Sequence, residues 1–201
     1  DQLLPKWPQL KANVRVRLDG KAEEIDLLIV DENNRTVLAC ELRWMLQPGE
    51  SHEVQQRKKT CHEKVRQLRR KVDWLRDRKA SLLKRELGKD VPDADAWTVH
   101  GVVVIQTYGG TLSPDPELPI MTSELFVTGL QNTSSLAVFA DWSQSLSWLP
   151  QPERHFEITK ESDPLPTVGK DLVRPMFSVC CGRAAYLHHV VDTLQRFDLQ
   201  A

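Results

Sequence analysis

Asp26 and Glu41 are the residues whose types and placement most suggest chemistry. They sit on two apolar runs, 23–30 (EEIDLLIV) and 36–43 (TVLACELR), separated by Asp31-Glu32-Asn33-Asn34-Arg35. A two-residue turn at Asn33-Asn34, a dipeptide suited to positive φ, pairs Glu32 with Arg35, Asp26 with Glu41 and Glu24 with Arg43. Alternation of side chains then sorts the hairpin into two faces. One face, Ile25, Leu27, Ile29, Leu38, Cys40 and Leu42, is wholly apolar and belongs to the core. The other carries Leu28, Val30, Val37 and Ala39 near the turn, then Glu24, Asp26, Glu41 and Arg43 together.

Like charges directly opposite each other destabilise a sheet. The acid pair therefore needs a cation. Arg43, neutralising Glu24 and Glu41 on a solvated surface, is one candidate. A divalent ion is the other, since Mg²⁺ takes one or two carboxylates and leaves its remaining positions to water and phosphate. Such an ion makes bound water more acidic and stabilises charge developing on a phosphoryl group.

The elements that must position these residues are readable. NVRVR at 13–17, followed by Asp19-Gly20, adds a third strand to the hairpin, giving a meander. After a loop with Pro48 and Gly49, Cys61, Val65, Leu68, Val72, Leu75 and Leu82 recur at spacings of three and four, with Lys79 in the one gap. That stripe predicts a long helix over about 52–87, ended by Gly88. Residues 99–106 (VHGVVVIQ) read as a strand covered on both faces. Loops around Gly109-Gly110 and Pro114–Pro119 follow. A short strand then feeds a helix within 119–130, with Thr122 or Ser123 as its cap, and 136–142 (LAVFADW) reads as another strand. Residues 150–175, with five prolines, read as an extended connection, and about 182–198 as a closing helix. The expected fold is α/β: a mixed central sheet, a β-meander leading into a long basic helix, and helices flanking the sheet. A core over 1–144 and a C-terminal extension over 145–201, packed on it as one domain, is the expected division.

Charge is unevenly distributed. The chain totals 27 Lys+Arg against 28 Asp+Glu. Residues 57–89 hold fourteen bases and four acids, a net of +10, leaving −11 elsewhere. Asymmetry of this kind reads either as a solvated helix face or as a contact for a polyanion. Cys40, Cys61, Cys180 and Cys181 show no disulfide framework and read as reduced thiols of a cytoplasmic protein. His188 and His189 show no zinc spacing. The six tryptophans are scattered and read mostly as core. No apolar run is long enough for a membrane helix. The chain opens at Asp1, which suggests a piece of a longer protein, with further domains or self-association as possible partners.

A strand with Asp26, a turn, a strand carrying Glu41-Leu42-Arg43, a helix and a further apolar strand together resemble the PD-(D/E)XK nuclease superfamily. The likeness spans roughly residues 13–125. It implies a restriction-endonuclease-like core in which Asp26, Glu41 and the Leu42 carbonyl hold Mg²⁺ or Mn²⁺, with Arg43 in the place of the family's lysine. Arginine stays protonated and cannot act as a base, though it can hold a phosphate. Many members also carry an acid on a helix before the hairpin, which here would precede Asp1. The resemblance implies an endonuclease hydrolysing phosphodiester bonds in DNA rather than RNA, in defence, restriction or repair. Asp26, Glu41 and Arg43 would be catalytic. Lys58, Lys59, Arg66, Arg69 and Arg70 would grip the backbone, and Gln55 and Gln56 would add a polar contact. The alternative is the same fold with a decayed site, serving as a nucleic-acid-binding or protein-interaction module.

Overall fold

Alternating apolar and β-branched residues draw Leu10–Leu18, Lys21–Asp31 and Thr36–Arg43 into strands β1, β2 and β3. Both neighbouring pairs are antiparallel, as the meander requires. The computed structural model describes residues 3–200 apart from 4, 19, 46–49, 92, 107–111, 166–169 and 180–181, and omits the side chains at 51, 158–165 and 170–179. Pro48-Gly49, Gly109-Gly110, Asp19, Cys180 and Cys181 lie outside the described residues.

The β2–β3 register matches the expected one, with Leu27 opposite Cys40 and Asp31 opposite Thr36. The turn is built differently. Arg35 N–H closes it on the Glu32 carbonyl at 3.4 Å, and the positive φ falls on Arg35 (51°) rather than on the asparagines. Asp31 holds the turn from within, its carboxylate accepting from Asn34 N–H at 3.2 Å and from Asn34 Nδ2 at 3.0 Å.

Strand β4, Thr98–Ile105, runs parallel to β3 with Ile105 opposite Arg43, and β5, Ile120–Thr122, runs parallel to β4. The carboxyl ends of β3, β4 and β5 therefore share one edge of the sheet. Parallel neighbours need a crossover, and the basic segment supplies it as α1 (Ser51–Asp77) and α2 (Lys79–Leu87). The single helix expected over 52–87 is interrupted at Arg78 (φ −124°, ψ 25°). There Lys79, the polar residue in the apolar seam, turns its ammonium to the carbonyls of Trp97 (2.9 Å) and Asp95 (3.1 Å). Gly88 ends α2 at φ 68°, as expected.

The seam residues Cys61, Val65, Leu68, Val72 and Leu75 pack on Leu28, Val30, Val37, Ala39 and Val103. Gly101 sets how closely α1 approaches: a Cβ there would lie 2.8 Å from Val72 Cγ2 and 2.7 Å from Leu118 Cδ2.

The opposite face is covered by α3 (Ser123–Asn132), α4 (Leu136–Ser145) and α5 (Arg183–Asp198). Thr122 caps α3, its Oγ1 accepting from Leu125 N–H at 3.2 Å. The strand expected at 136–142 is instead α4, started by Ser135 Oγ on Val138 N–H. Within 136–142 Asp141 is the one polar residue, too little contrast to display the helical period. The proline-rich stretch likewise forms two strands, β6 (Phe156–Leu165) and β7 (Lys170–Val179), paired as a separate two-stranded sheet. Every strand of such a sheet is an edge, where proline is tolerated.

Candidate active site at the end of the hairpin

Strict alternation fails where the acids lie. Asn13 adopts φ 55° opposite the position of Asp26, and the pairing of β1 with β2 skips that one step. Such a residue takes β1 out of its regular pleat at this step. On β2, Ile25 joins Leu28 and Val30 under α1, instead of Ile29 on the far face. This corrects the expected apolar face at its near end. Leu42, which that register sets opposite Ile25, corrects it at the same end, being 43% exposed.

The β2–β3 ladder ends at Leu27 and Cys40. Beyond that point Asp26 takes over the work of the backbone: its Oδ2 accepts the Leu42 N–H at 2.7 Å. A strand residue directs its N–H and C=O to the same neighbour, so the Leu42 carbonyl faces the same split. The expected Glu24–Arg43 pair does not form. Glu24 is exposed and Arg43 is exposed.

Glu41 is only 1% exposed. Its cation comes from α1. Lys64 Nζ lies 2.9 Å from Oε2, and Lys71, itself buried, bonds Oε1 and the Glu24 carbonyl. Seven residues separate the two lysines, which puts them on one side of the helix. The expected neutraliser, Arg43, is thus replaced by two lysines that the hairpin analysis did not include. A signal was present, because Lys64 and Lys71 each stand one residue before a seam residue, Val65 and Val72, and so flank the buried stripe. Cys40 registers both acids: burial first, then the charges of Asp26 and Glu41, push its thiol pKa far up. It is a protonated, inert thiol.

The donors suit a hard cation. Asp26, Glu41 and the Leu42 carbonyl would offer oxygen ligands in the small number that Mg²⁺ accepts. The Glu41 oxygens keep lone pairs beyond those the lysines use. Among the described residues no group of three or more His, Cys, Asp or Glu comes together, so an all-protein cage of the zinc or calcium kind is not formed.

The proposed backbone-gripping residues divide. Lys58, Lys59 and Arg66 are exposed, and Arg70 is exposed with Glu23 at 3.4 Å. Lys59, Arg66 and Arg70 fall on one line along α1, spanning about 16 Å at 1.5 Å per residue. Arg69 is committed elsewhere, to Asp115 (2.5 Å) and Glu117 (2.8 Å). That ion cluster raises the Arg69 pKa despite the opposing effect of burial. Much of the excess charge is spent in this way, since Lys84 meets Asp90 at 2.8 Å and Lys89 meets Glu32 at 2.5 Å. Gln55 and Gln56 are exposed, with Gln56 Nε2 at 3.5 Å from His52 Nε2.

No described helix is long and apolar enough to cross a membrane. No family model, curated protein or solved structure matches the chain, so its functional reading rests on the geometry of this hairpin end.

Proposed function

We propose that this chain is a metal-dependent nuclease of the PD-(D/E)XK kind, hydrolysing phosphodiester bonds in DNA. The observation that carries the reading is that two acids meet successive residues of β3 where β2 and β3 part: Glu41, held by Lys64 and Lys71, and Asp26, held by the Leu42 N–H. Asp26, Glu41 and the Leu42 carbonyl would hold a Mg²⁺ or Mn²⁺ ion, which supplies a Lewis acid for a phosphoryl oxygen. Lys71 and Lys64 place positive charge beside the scissile phosphate, while the strand position of the family's lysine, which helps position or activate the attacking water, holds Arg43. Arg43, exposed and always protonated, holds a neighbouring phosphate. Lys59, Arg66 and Arg70 track the backbone along α1 and make affinity salt-dependent. Water adds to phosphorus, one P–O ester bond breaks, and the proton leaves with the released alcohol.

Plasmid and single-stranded DNA incubated with the chain and Mg²⁺ or Mn²⁺ test this. Cleavage that disappears in both Asp26→Asn and Glu41→Gln supports it. Cleavage equal in either variant and the parent overturns it. The near-complete burial of Glu41, with a lysine on each oxygen, favours a second reading, a binding module with the same fold and no turnover. Salt-sensitive binding without cleavage under either metal selects that reading.

A further inference from the structure

Tryptophan is the side chain this fold otherwise withdraws from water. Trp7, Trp97, Trp142 and Trp148 are buried, and Trp74 is half-buried with the Arg78 guanidinium 5.3 Å from its ring centroid. Trp44 is the exception at 73% exposed. It follows Glu41 by three residues, a reach of about 10 Å in extended chain. Leu42, two residues before it, is also exposed, so an apolar surface continues from the candidate site off the end of β3.

Charge and topology say what that surface suits. Arg43 stands between the two apolar residues, and the basic line of α1 lies on the Glu41 side of the sheet. On the other face, beside the ends of β4 and β5, a cavity of about 600 Å³ is lined by Gln106, Thr122, Arg183 and Tyr186. The β3–β4 register, Leu42 opposite Val104 and Arg43 opposite Ile105, leads Trp44 and Gln106 off the sheet side by side. The shared carboxyl edge thus offers basic charge on one side and an indole beside a cavity of mixed apolar and polar lining on the other.

We infer that Trp44 is a stacking platform for an unpaired base, and that the chain acts on single-stranded or locally opened nucleic acid. The inference rests on the nucleic-acid reading above and names its substrate. In a duplex the base faces are occupied by their neighbours, so an indole this close to a phosphate site meets a face only where the base is unstacked. Stacking accepts any base, because each has a π-face. Arg43 holds the adjoining phosphate.

The full chain is titrated with a labelled oligothymidylate and with a duplex of equal length, following anisotropy and tryptophan emission. The single strand is expected to bind more tightly and to quench the emission. Trp44→Ala should weaken the single strand about tenfold, leave the duplex unchanged and remove the quenching. Trp44→Phe should keep most of the affinity. Single-strand affinity equal in Trp44→Ala and the parent overturns the inference while leaving the nuclease reading intact. Emission from Trp44 that shifts with protein concentration alone assigns the surface to a second copy and also overturns it. Failure of the parent to bind either strand defeats the underlying reading, and the inference with it.

Discussion

The β2–β3 hairpin carries a buried carboxylate at each end, and the two are satisfied in opposite ways. At the turn, Asp31 accepts from neutral donors: Asn34 N–H, Asn34 Nδ2 and, across the core at 3.0 Å, the Leu136 N–H in the first turn of α4. At the open end, Glu41 meets two ammonium groups on long stems from α1. Backbone amides are fixed by the fold, so Asp31 ties the turn to α4 and has no room for exchange. Lysine stems have four rotatable carbons, so an ammonium could turn from Glu41 to an anion and leave the carboxylate to a cation. Burial of an acid does not by itself distinguish structure from chemistry.

Breaking one partner at the open end gives the largest expected effect. Lys71→Ala leaves Glu41 buried with one lysine and should cost about 3 kcal/mol in urea unfolding. Replacing the pair together, Glu41→Leu with Lys71→Met, should recover most of that stability, because a buried ion pair gains little over an apolar one. A double variant no more stable than Lys71→Ala would show that the two ends do not differ as described.

At the turn end, Asp31→Ala strands the Leu136 and Asn34 N–H groups and should cost about 2 kcal/mol by the same measurement. Asp31→Asn, which keeps an acceptor, should restore part of it. Neither substitution should alter cleavage or nucleic-acid affinity once folded protein is compared at equal concentration. Loss of activity in folded Asp31→Asn would place the turn in the functional machinery and dissolve the contrast.

The smallest effect concerns a third buried polar group. His189, packed 4.4 Å from the His155 ring with its Nε2 at 3.2 Å from the Ser147 carbonyl, has its pKa lowered. Burial is the main cause, followed by the nearby His155 and Arg154. The folded state thus binds this proton less readily than the unfolded chain does. Its contribution to stability is full above the unfolded value near 6.5 and declines as pH falls through and below it. Urea midpoints between neutral and mildly acid pH should fall less in His189→Gln than in the parent. Identical pH slopes would remove His189 from the account.

The elements around the site were legible to different degrees, for physical reasons. Alternation marked the meander, the hairpin register followed from the Asn33-Asn34 turn, and the three-four spacing of α1 and Gly88 marked the crossover, because local geometry writes these periods directly into the chain. The α4 helix was misread because residues 136–142 hold a single polar residue, Asp141, too few to show the period of the exposed face. The left-handed step at Asn13 was missed because the alternation of NVRVR reads as regular strand, although asparagine tolerates that conformation. The residues expected to grip a backbone were half legible: exposure of Lys59 and Arg66 follows from their place away from the seam, Lys58 is exposed although it lies in line with Cys61 and Val65, and the diversion of Arg69 depends on Asp115 and Glu117, which arrive from a distant loop.

By itself the sequence determined that two acids would stand near one end of a hairpin and that a basic helix would follow. Both are consequences of short-range periodicity and of charge that burial cannot hide. Only the tertiary structure decided which cation answers which acid. Arg43 is adjacent in sequence but exposed, and the two lysines that reach Glu41 lie 23 and 30 residues away, brought there by the seating of α1 against Gly101. Ion pairing depends on distance through the folded interior, which no spacing along the chain prescribes.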